Sequence, residues 1–447
     1  MNSFRFFHLS GQDSLNLHED FVLEDWEGKT IHLRPYQREA AEKILLNASR
    51  ISSRFGIPAV VPGGIVQFAP GTGKTLTSFC TAQFVSQLSN VKKVFFVVDQ
   101  NDLDWRSVRN FAAQGNGFID LNSGIESLLS TIYHTQSVFI PTTFQKLESF
   151  LRTLRDFESF KKHTIFIYDE CQSVLTADRQ ALISRVFPNS QHYFFTSSSA
   201  SDISSAFFGQ EIFSYPLSQA IKEQNLLPFQ IEYELTQNFT FQEEIPEVDA
   251  INEFRALLSP ERIQKIVKKI LERFGQKSEN QHFNSLLAVN DEISAMNYYV
   301  ELRHQLSENK KNLQIAAIYD PNEGGEKNTR LRRDFWELVT EDYNAQFHTN
   351  FSSIGDRFTE YFLDVSRRMA LGEIDLLLVV NHLLTSFDSA NLNTLWVDRD
   401  FSSLALLQAF SRTNRIGPQK SVGNVISFRD LARQVKEILP PEAFEKP

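Results

Sequence analysis

Three short stretches of this chain carry residue types that together could bind and hydrolyse a nucleoside triphosphate. The first is Gly71-Thr72-Gly73-Lys74-Thr75. Glycines at this spacing let backbone N–H groups wrap phosphate oxygens at the N-terminus of a following helix. Lys74 is then placed to reach the β- and γ-phosphates, and the Thr75 hydroxyl to ligate Mg²⁺. The strict form of the loop has a further glycine where this chain has Phe68. The second stretch, Thr164-Ile-Phe-Ile-Tyr168-Asp169-Glu170, is an apolar run that ends in two carboxylates. Asp169 suits an outer-sphere Mg²⁺ contact, and Glu170 can orient and deprotonate an attacking water. Alone, such a pair is equally an acidic helix cap; downstream of a phosphate loop, the catalytic reading is favoured. The third stretch, Gln408-Ala-Phe-Ser-Arg412-Thr-Asn-Arg415, holds two arginines three apart, which a helix would set on one face. An arginine inserted at a γ-phosphate is commonly worth ~10³–10⁵ in rate. A nucleotide gripped by residues this distant in sequence is expected in a cleft between two domains, as in a nucleic-acid motor.

The elements that must position these residues are legible as two series of short apolar runs separated by longer helical patterns. The first series is GGIVQFA, VKKVFFVVD, SVFIP, HTIFIYD and QHYFFTS; the second is FNSLLAVN, LQIAAIYD, IDLLLVVN, LNTLWVD and GNVISF. Such alternation predicts parallel α/β layers, which place their ligands at the carboxyl ends of the strands. Lys74 to Phe84 reads as the helix after the phosphate loop. The polar, acidic stretch TQNFTFQEEIPEVDA reads as part of a linker opening near Glu232, and ERIQKIVKKILERF as an amphipathic helix leading into the second half. The expected boundaries are an N-terminal extension at 1–33, a first ATPase domain at 34–231, linker and helix at 232–280, a second domain at 281–435, and a loose, proline-broken tail at 436–447.

Composition narrows the class. Of the 447 residues, 42% are hydrophobic and 22% charged, as in ordinary globular chains large enough for two or three domains. No apolar run approaches the ~20 residues that cross a bilayer, and the N-terminus has no secretory pattern. Two cysteines, Cys80 and Cys171, cannot build a disulfide framework, so a cytoplasmic location is expected. A net charge of −10 argues against coating DNA by charge alone, yet permits a local track for it. The 40 phenylalanines recur inside apolar runs and are read as core rather than as stacking platforms. The ten histidines show no metal-ligand spacing.

As an ordered set over roughly residues 30 to 430, these segments resemble the motor portion of the R subunit of type I restriction enzymes, within helicase superfamily 2. Arg34-Pro-Tyr-Gln37 resembles the adenine-reading segment, and Gly63 to Thr75 the family's phosphate loop. Phe96 to Asp104 and Pro141-Thr142-Thr143-Phe-Gln145-Lys146-Leu147 are similar to segments that lie along DNA. Phe207 to Ile221, and Glu341-Asp-Tyr343-Asn344 with Tyr361 to Arg368, resemble stretches peculiar to these R subunits. Leu384-Thr385-Ser386-Phe387-Asp388 and Gln408 to Arg415 are similar to the last two motor motifs. The resemblance implies two RecA-like domains in tandem. It also implies ATP and Mg²⁺ as cofactors, and double-stranded DNA and the methyltransferase and specificity subunits as partners. By the same resemblance Lys74, Glu170, Arg412 and Arg415 are catalytic. Nucleotide contacts fall on Arg34, Gln37, Gly71, Thr72, Gly73, Thr75 and Asp388, metal contacts on Thr75 and Asp169, and DNA contacts on Thr142, Thr143, Gln145 and Thr385.

The chain departs from the family at four places. Asp-Glu-Ala-His is Asp169-Glu170-Cys171-Gln172, and Thr-Gly-Thr-Pro is Thr196-Ser197-Ser198-Ser199. A glycine of the Leu-Thr-Gly-Phe-Asp motif is Ser386, and the usual Ser-Arg after the second half's first strand is Asn290-Asp291. These changes bear on the coupling of ATP to motion more than on ATP binding. Only 33 residues precede Arg34, too few for the family's nuclease domain, so a split or truncated motor that does not itself cut DNA is expected. Two alternatives stay open: an independent superfamily 2 helicase, and a catalytically impaired remnant that binds nucleotide or partner subunits.

Overall fold

Runs of five to seven residues that are apolar at nearly every position are too short for helices and suit strands covered on both faces. In the computed structural model they form two parallel sheets. The structure describes residues 22–24, 30–49, 51–54, 57–60, 62–98, 139–153, 163–171, 174–197, 205–235, 257–278, 283–318, 329–351, 358–380, 389–417 and 419–445. The chain divides into two units, Met1–Ala69 with Gly73–Pro216, and Pro70–Thr72 with Leu217–Pro447. Near the N-terminus β1 (Val22–Glu24) pairs antiparallel with β2 (Thr30–His32), and β3 (Ile51–Arg54) with β4 (Ile57–Val60).

In the first unit six strands follow: β5 (Gly64–Phe68), β6 (Lys93–Val98), β7 (Phe139–Thr143), β8 (Thr164–Asp169), β9 (Ser190–Thr196) and β10 (Glu211–Tyr215). Their spatial order is β10-β5-β9-β8-β6-β7, and every pairing is parallel. Phenylalanine supplies much of the packing: Phe95 stacks on Phe166 with ring centroids 4.9 Å apart, and Phe187 meets both edge-on. Those rings are buried, as the core reading of the phenylalanines requires.

The second unit repeats the plan with β11 (Phe229–Tyr233), β12 (Asn284–Val289), β13 (Ile315–Ile318), β14 (Leu376–Val380), β15 (Leu392–Asp398) and β16 (Gly423–Ser427). The order is β11-β16-β15-β12-β14-β13, again parallel throughout. Position 232, expected to open a linker, instead lies inside β11, which joins the second sheet beside β16. Glu232 within it and Glu234 just beyond it explain why a half-polar segment can be a strand. Glu232 pairs with Arg273 and Lys277, and Glu234 with Lys269 and Arg273, all from the helix Pro260–Lys277. That helix is the amphipathic stretch. Ser259 caps its first turn, Pro260 opens it, and Ile263, Ile266, Val267, Ile270, Leu271 and Phe274 form its buried stripe.

The tail is docked rather than loose through Glu445. Ala443 is buried, Phe444 bridges to Phe229, and the Glu445 amide donates to the Phe229 carbonyl at 3.0 Å. The prolines that end the last helix turn the chain back onto the open side of edge strand β11, giving its backbone a partner.

The Glu341–Asn344 and Tyr361–Arg368 segments bind two helices, Thr329–Phe347 and Phe358–Leu371, to each other. The Tyr343 hydroxyl donates to Asp364 at 2.8 Å, Arg368 donates to the same carboxylate, and its guanidinium lies over Phe347. Asn344 accepts from Thr349 and from the Phe351 amide, and donates to the Phe351 carbonyl.

A buried ion network anchors the carboxyl end of β15. Asp398 accepts from Arg262 through both oxygens at 2.8 and 2.6 Å, from Tyr298 at 2.7 Å and from Arg429 at 2.8 Å. Burial pushes the Asp398 carboxyl up, but the Arg262 hydrogen bonds and the Arg429 and Arg262 charges outweigh it and hold it below the usual aspartate value. A folded pKa below the unfolded one contributes stability that is present above the unfolded value and lost as pH falls through the folded value. Asp398→Asn should therefore lower stability at neutral pH by ~3–5 kcal/mol, the cost of leaving buried guanidinium groups without their anion. It should also flatten the acid limb of the stability curve. Urea unfolding at pH 7 and between pH 2 and 4 checks both; equal midpoints at pH 7 would refute the network's role.

Candidate functional site

The first-unit site follows from strand order. β9 lies between β5 and β8, so the phosphate loop and the carboxylate pair emerge two strands apart, ~10 Å at ordinary inter-strand spacing. The loop leaves β5 through Gly71 and Gly73, both at left-handed angles of φ +85° and +83° that disfavour side chains. The helix Lys74–Val85 starts directly after it, with Thr77 and Thr81 hydroxyls donating to carbonyls one turn back at 2.8 and 2.7 Å. Those bonds let a helix with buried polar residues pack into the unit.

Lys74 extends from that helix to the carboxylates. Its Nζ donates to Asp169 Oδ1 at 2.5 Å and stands 3.4 Å from Glu170 Oε1. Asp169, the last residue of β8, is buried; Glu170, just beyond, adopts φ +51°, a left-handed conformation uncommon for glutamate. Three bonds from the end of β9 hold it there. The Glu170 amide donates to the Phe195 carbonyl at 3.0 Å, the Ser197 amide donates to Glu170 Oε1 at 2.9 Å, and the Ser197 hydroxyl donates to the same oxygen. Strain of this kind, fixed by surrounding bonds, is characteristic of working sites.

Arg34 and Gln37 lie at the start of the helix Pro35–Ser49. The Arg34 amide donates to Gln37 Oε1 at 2.8 Å, Arg34 is exposed, and the buried Gln37 amide sits against Gly73. Between them Tyr36 stacks on Tyr215 with centroids 3.9 Å apart and planes 4° from parallel. The stretch from Phe207 to Ile221 thus supports the segment that precedes the phosphate loop. Thr142 and Thr143, expected at DNA, are buried at the end of β7. The Thr143 hydroxyl accepts from the Lys146 amide and so caps the helix Phe144–Thr153, while Gln145 and Lys146 are half-buried.

In the second unit Arg412 and Arg415 are not on one helical face. The helix Ser403–Phe410 ends at Ser411, and turns carry the chain through Thr413. The cause is Asn414, whose carbonyl accepts from the Leu227 amide at 2.8 Å and whose amide group donates to the Leu227 carbonyl at 3.2 Å, pulling the chain out of helical register. Arg412 is buried, with Nε donating to the Gln408 carbonyl, and Arg415 is half-buried. Beyond them Lys420 is buried against the Leu392 carbonyl at 2.5 Å; burial first, then the Arg415 charge, push its ammonium down to about 7. Asn290 and Asp291, which stand where the family has Ser-Arg, serve the backbone. Asp291 caps the helix Glu292–Glu308, and Asn290 accepts from the Asp400 amide. Thr385 and Asp388 lie outside the described residues.

Cys80 is buried, its thiol pushed up by desolvation, and the Cys171 thiol points to the Val97 and Asp169 carbonyls, so both are packing residues. No helix among the described residues is long and apolar enough to cross a membrane.

Two parallel six-stranded α/β units, the first with Lys74, Asp169 and Glu170 gathered at its strand ends, define a fold of the RecA-like kind. Comparison with known families is specific. Residues 36–264 match the SWI2/SNF2 ATPase family, and residues 281–430 match domain 3 of the type I restriction enzyme subunit R. The chain belongs to the helicase-like ATPase family of type I restriction enzyme R subunits. It is 31% identical over 440 residues to an endonuclease subunit of a type I restriction enzyme from Staphylococcus aureus (strain MSSA476), an alignment covering 94% of this chain and 46% of that protein. The chain thus spans about half the length of the curated relatives it matches. Among solved structures it resembles a fragment assigned to the HsdR subunit of a type I restriction enzyme from Vibrio vulnificus YJ016, with TM-score 0.55 and 15% identity, covering 95% of this chain and 69% of that one. It also resembles the ATP-dependent type ISP restriction-modification enzyme LlaBIII bound to DNA, with TM-score 0.52 and 15% identity, covering 90% of this chain and 28% of that one.

Gly73→Ala tests the loop. A Cβ there would collide with the Gln37 amide, and its left-handed backbone would be strained, at a cost of ~1–3 kcal/mol. We expect a lower melting temperature and ATP binding weakened at least tenfold by calorimetry, a ~1.4 kcal/mol effect. Unchanged affinity would remove Gly73 from the phosphate-binding loop.

Proposed function

We propose that this chain is the ATP-dependent double-stranded DNA translocase motor of a type I restriction enzyme R subunit. The observation that carries the proposal is the Lys74 ammonium placed against both Asp169 and Glu170 at the end of the phosphate loop. One cation within reach of a phosphate loop and of two carboxylates is the equipment for phosphoryl transfer to water. In the proposed reaction Glu170 accepts a proton from water as the water oxygen bonds to the γ-phosphorus. The bond from that phosphorus to the β–γ bridging oxygen breaks, and ADP and phosphate leave. Lys74 carries negative charge on the β- and γ-phosphates, and Arg412 and Arg415 are proposed to carry the charge that develops on the γ-phosphoryl group. The residues present fit a hard divalent cation: Thr75 with Asp169 would hold Mg²⁺, which supplies charge neutralisation on the phosphate oxygens. Arg34 and Gln37 are proposed at the base, with Gln37 braced on Gly73, and Asp388 at the nucleotide.

For DNA, the carboxyl end of β7 and Thr385 are proposed to follow the strand. With Thr142 and Thr143 turned inward, contact at β7 falls to backbone groups and Gln145. Methyltransferase and specificity subunits are the proposed partners, supported by the R-subunit domain 3 match at residues 281–430. A cytoplasmic location follows from that role.

Two substitutions separate binding from hydrolysis. Lys74→Ala should weaken ATP binding and abolish turnover. Glu170→Gln should bind ATP with near-parental affinity yet hydrolyse it at least ~10²-fold more slowly, the loss expected for a general base. Fluorescent-nucleotide titration and phosphate release check both, and hydrolysis by Glu170→Gln at the parental rate would remove Glu170 from the base role.

A further inference from the structure

Ser197 stands where the family's Thr-Gly-Thr-Pro stretch has glycine, a position with no side chain to contribute. Here the side chain is in use. Ser197 is 5% exposed, and its hydroxyl and its own amide both donate to Glu170 Oε1. The register explains how: Asp169 is the parallel partner of Phe195, so Glu170, one residue beyond Asp169, and Ser197, two beyond Phe195, emerge from neighbouring strands side by side. Glu170 is moreover held at φ +51° with its amide on Phe195, so its backbone cannot relax to an ordinary conformation without breaking that bond. Lys74 Nζ stands 3.4 Å from the same Oε1.

We propose that Ser197 is a positioning residue that fixes the Glu170 carboxylate for proton abstraction from the attacking water. The inference rests on the hydrolytic reading of Glu170 and goes beyond it by assigning the orientation of the base to a hydroxyl. The substitution of glycine by serine is then a gain for the site. Ser197 supplies two donors to a carboxylate on a left-handed residue, its hydroxyl and its backbone amide. Removing the hydroxyl leaves a single donor from Ser197 and lets the carboxylate swing, and a displacement of ~1 Å at a reacting group can cost ~10²-fold in rate.

The test uses the full chain with Ser197→Ala, Ser197→Gly and Ser197→Thr, and a thermal double-mutant cycle of Ser197→Ala with Glu170→Ala, which removes the acceptor. The expected result is a kcat lowered at least tenfold in the alanine and glycine variants with KM for ATP within twofold of the parent, and recovery in the threonine variant. The cycle should show non-additive shifts in melting temperature, because the two side chains share a bond. A parental kcat in Ser197→Ala, or a raised KM with unchanged kcat, would overturn the assignment. If the parent chain itself hydrolysed no ATP, the proposed function would fall separately. The cycle would still judge the contact, and additive shifts would overturn it.

Discussion

Two adjacent carboxylates at the end of a buried strand repel each other and lose hydration, so they persist in the fold only where a cation stands within reach. Lys74 is that cation, and much of the first unit's layout serves the meeting. The lysine must come from a helix that begins at once after β5, which requires left-handed glycines in the loop. It must also cross the end of β9, which sets how close the intervening residues can stand. Thr196 and Ser197 occupy that gap, both buried, and Ser197 uses it to hold Glu170. In the proposed function that cation would serve the phosphate oxygens, and Asp169 and Glu170 would serve the metal and the attacking water.

The second unit depends on a different buried charge. Asp398 lies at the end of β15, just before the helix that leads to Arg412 and Arg415, and is held by Arg262, Arg429 and Tyr298. Fixing that strand end fixes where the following helix starts. Asn414 then fixes where the arginines leave it, through its paired bonds to Leu227. A helix continuing to residue 415 would have presented the two guanidinium groups together; the turn sends Arg412 inward and leaves Arg415 half-buried.

How much of this could be read from the chain depends on burial. Strands such as Phe166-Ile167-Tyr168 and Leu376-Leu377-Leu378 are covered on both faces, and their continuous apolar runs announced them. Two of the four edge strands of the six-stranded sheets did not. Glu211–Tyr215 and Phe229–Tyr233 are half exposed and carry acidic residues, which in sequence resemble loop. The Glu232 of β11 is explained by Arg273 and Lys277 of a helix some forty residues or more along the chain. Lys74, Asp169 and Glu170 were legible because each motif is local. The part of Ser197 was not, since a serine in a serine run carries no local sign of its partner; the clue lay in the register of β8 against β9, where Asp169 pairs with Phe195. Thr142 and Thr143 lie buried at the carboxyl end of β7, where Thr143 caps the next helix, a burial that their residue types did not signal. The docked tail was hidden by its prolines, which end a helix and equally well aim a chain back onto a sheet edge.

In the proposed function the Lys74–Asp169–Glu170 centre is a hydrolytic engine responsive to duplex DNA. The most direct measurement is steady-state phosphate release by the purified, unsubstituted chain, with Mg²⁺ and saturating ATP, as linear duplex DNA is titrated in. The account predicts a rate that rises severalfold and saturates with DNA, at an affinity that weakens as salt is raised. A rate independent of DNA, or no phosphate release above the protein-free background at any DNA concentration, would contradict it.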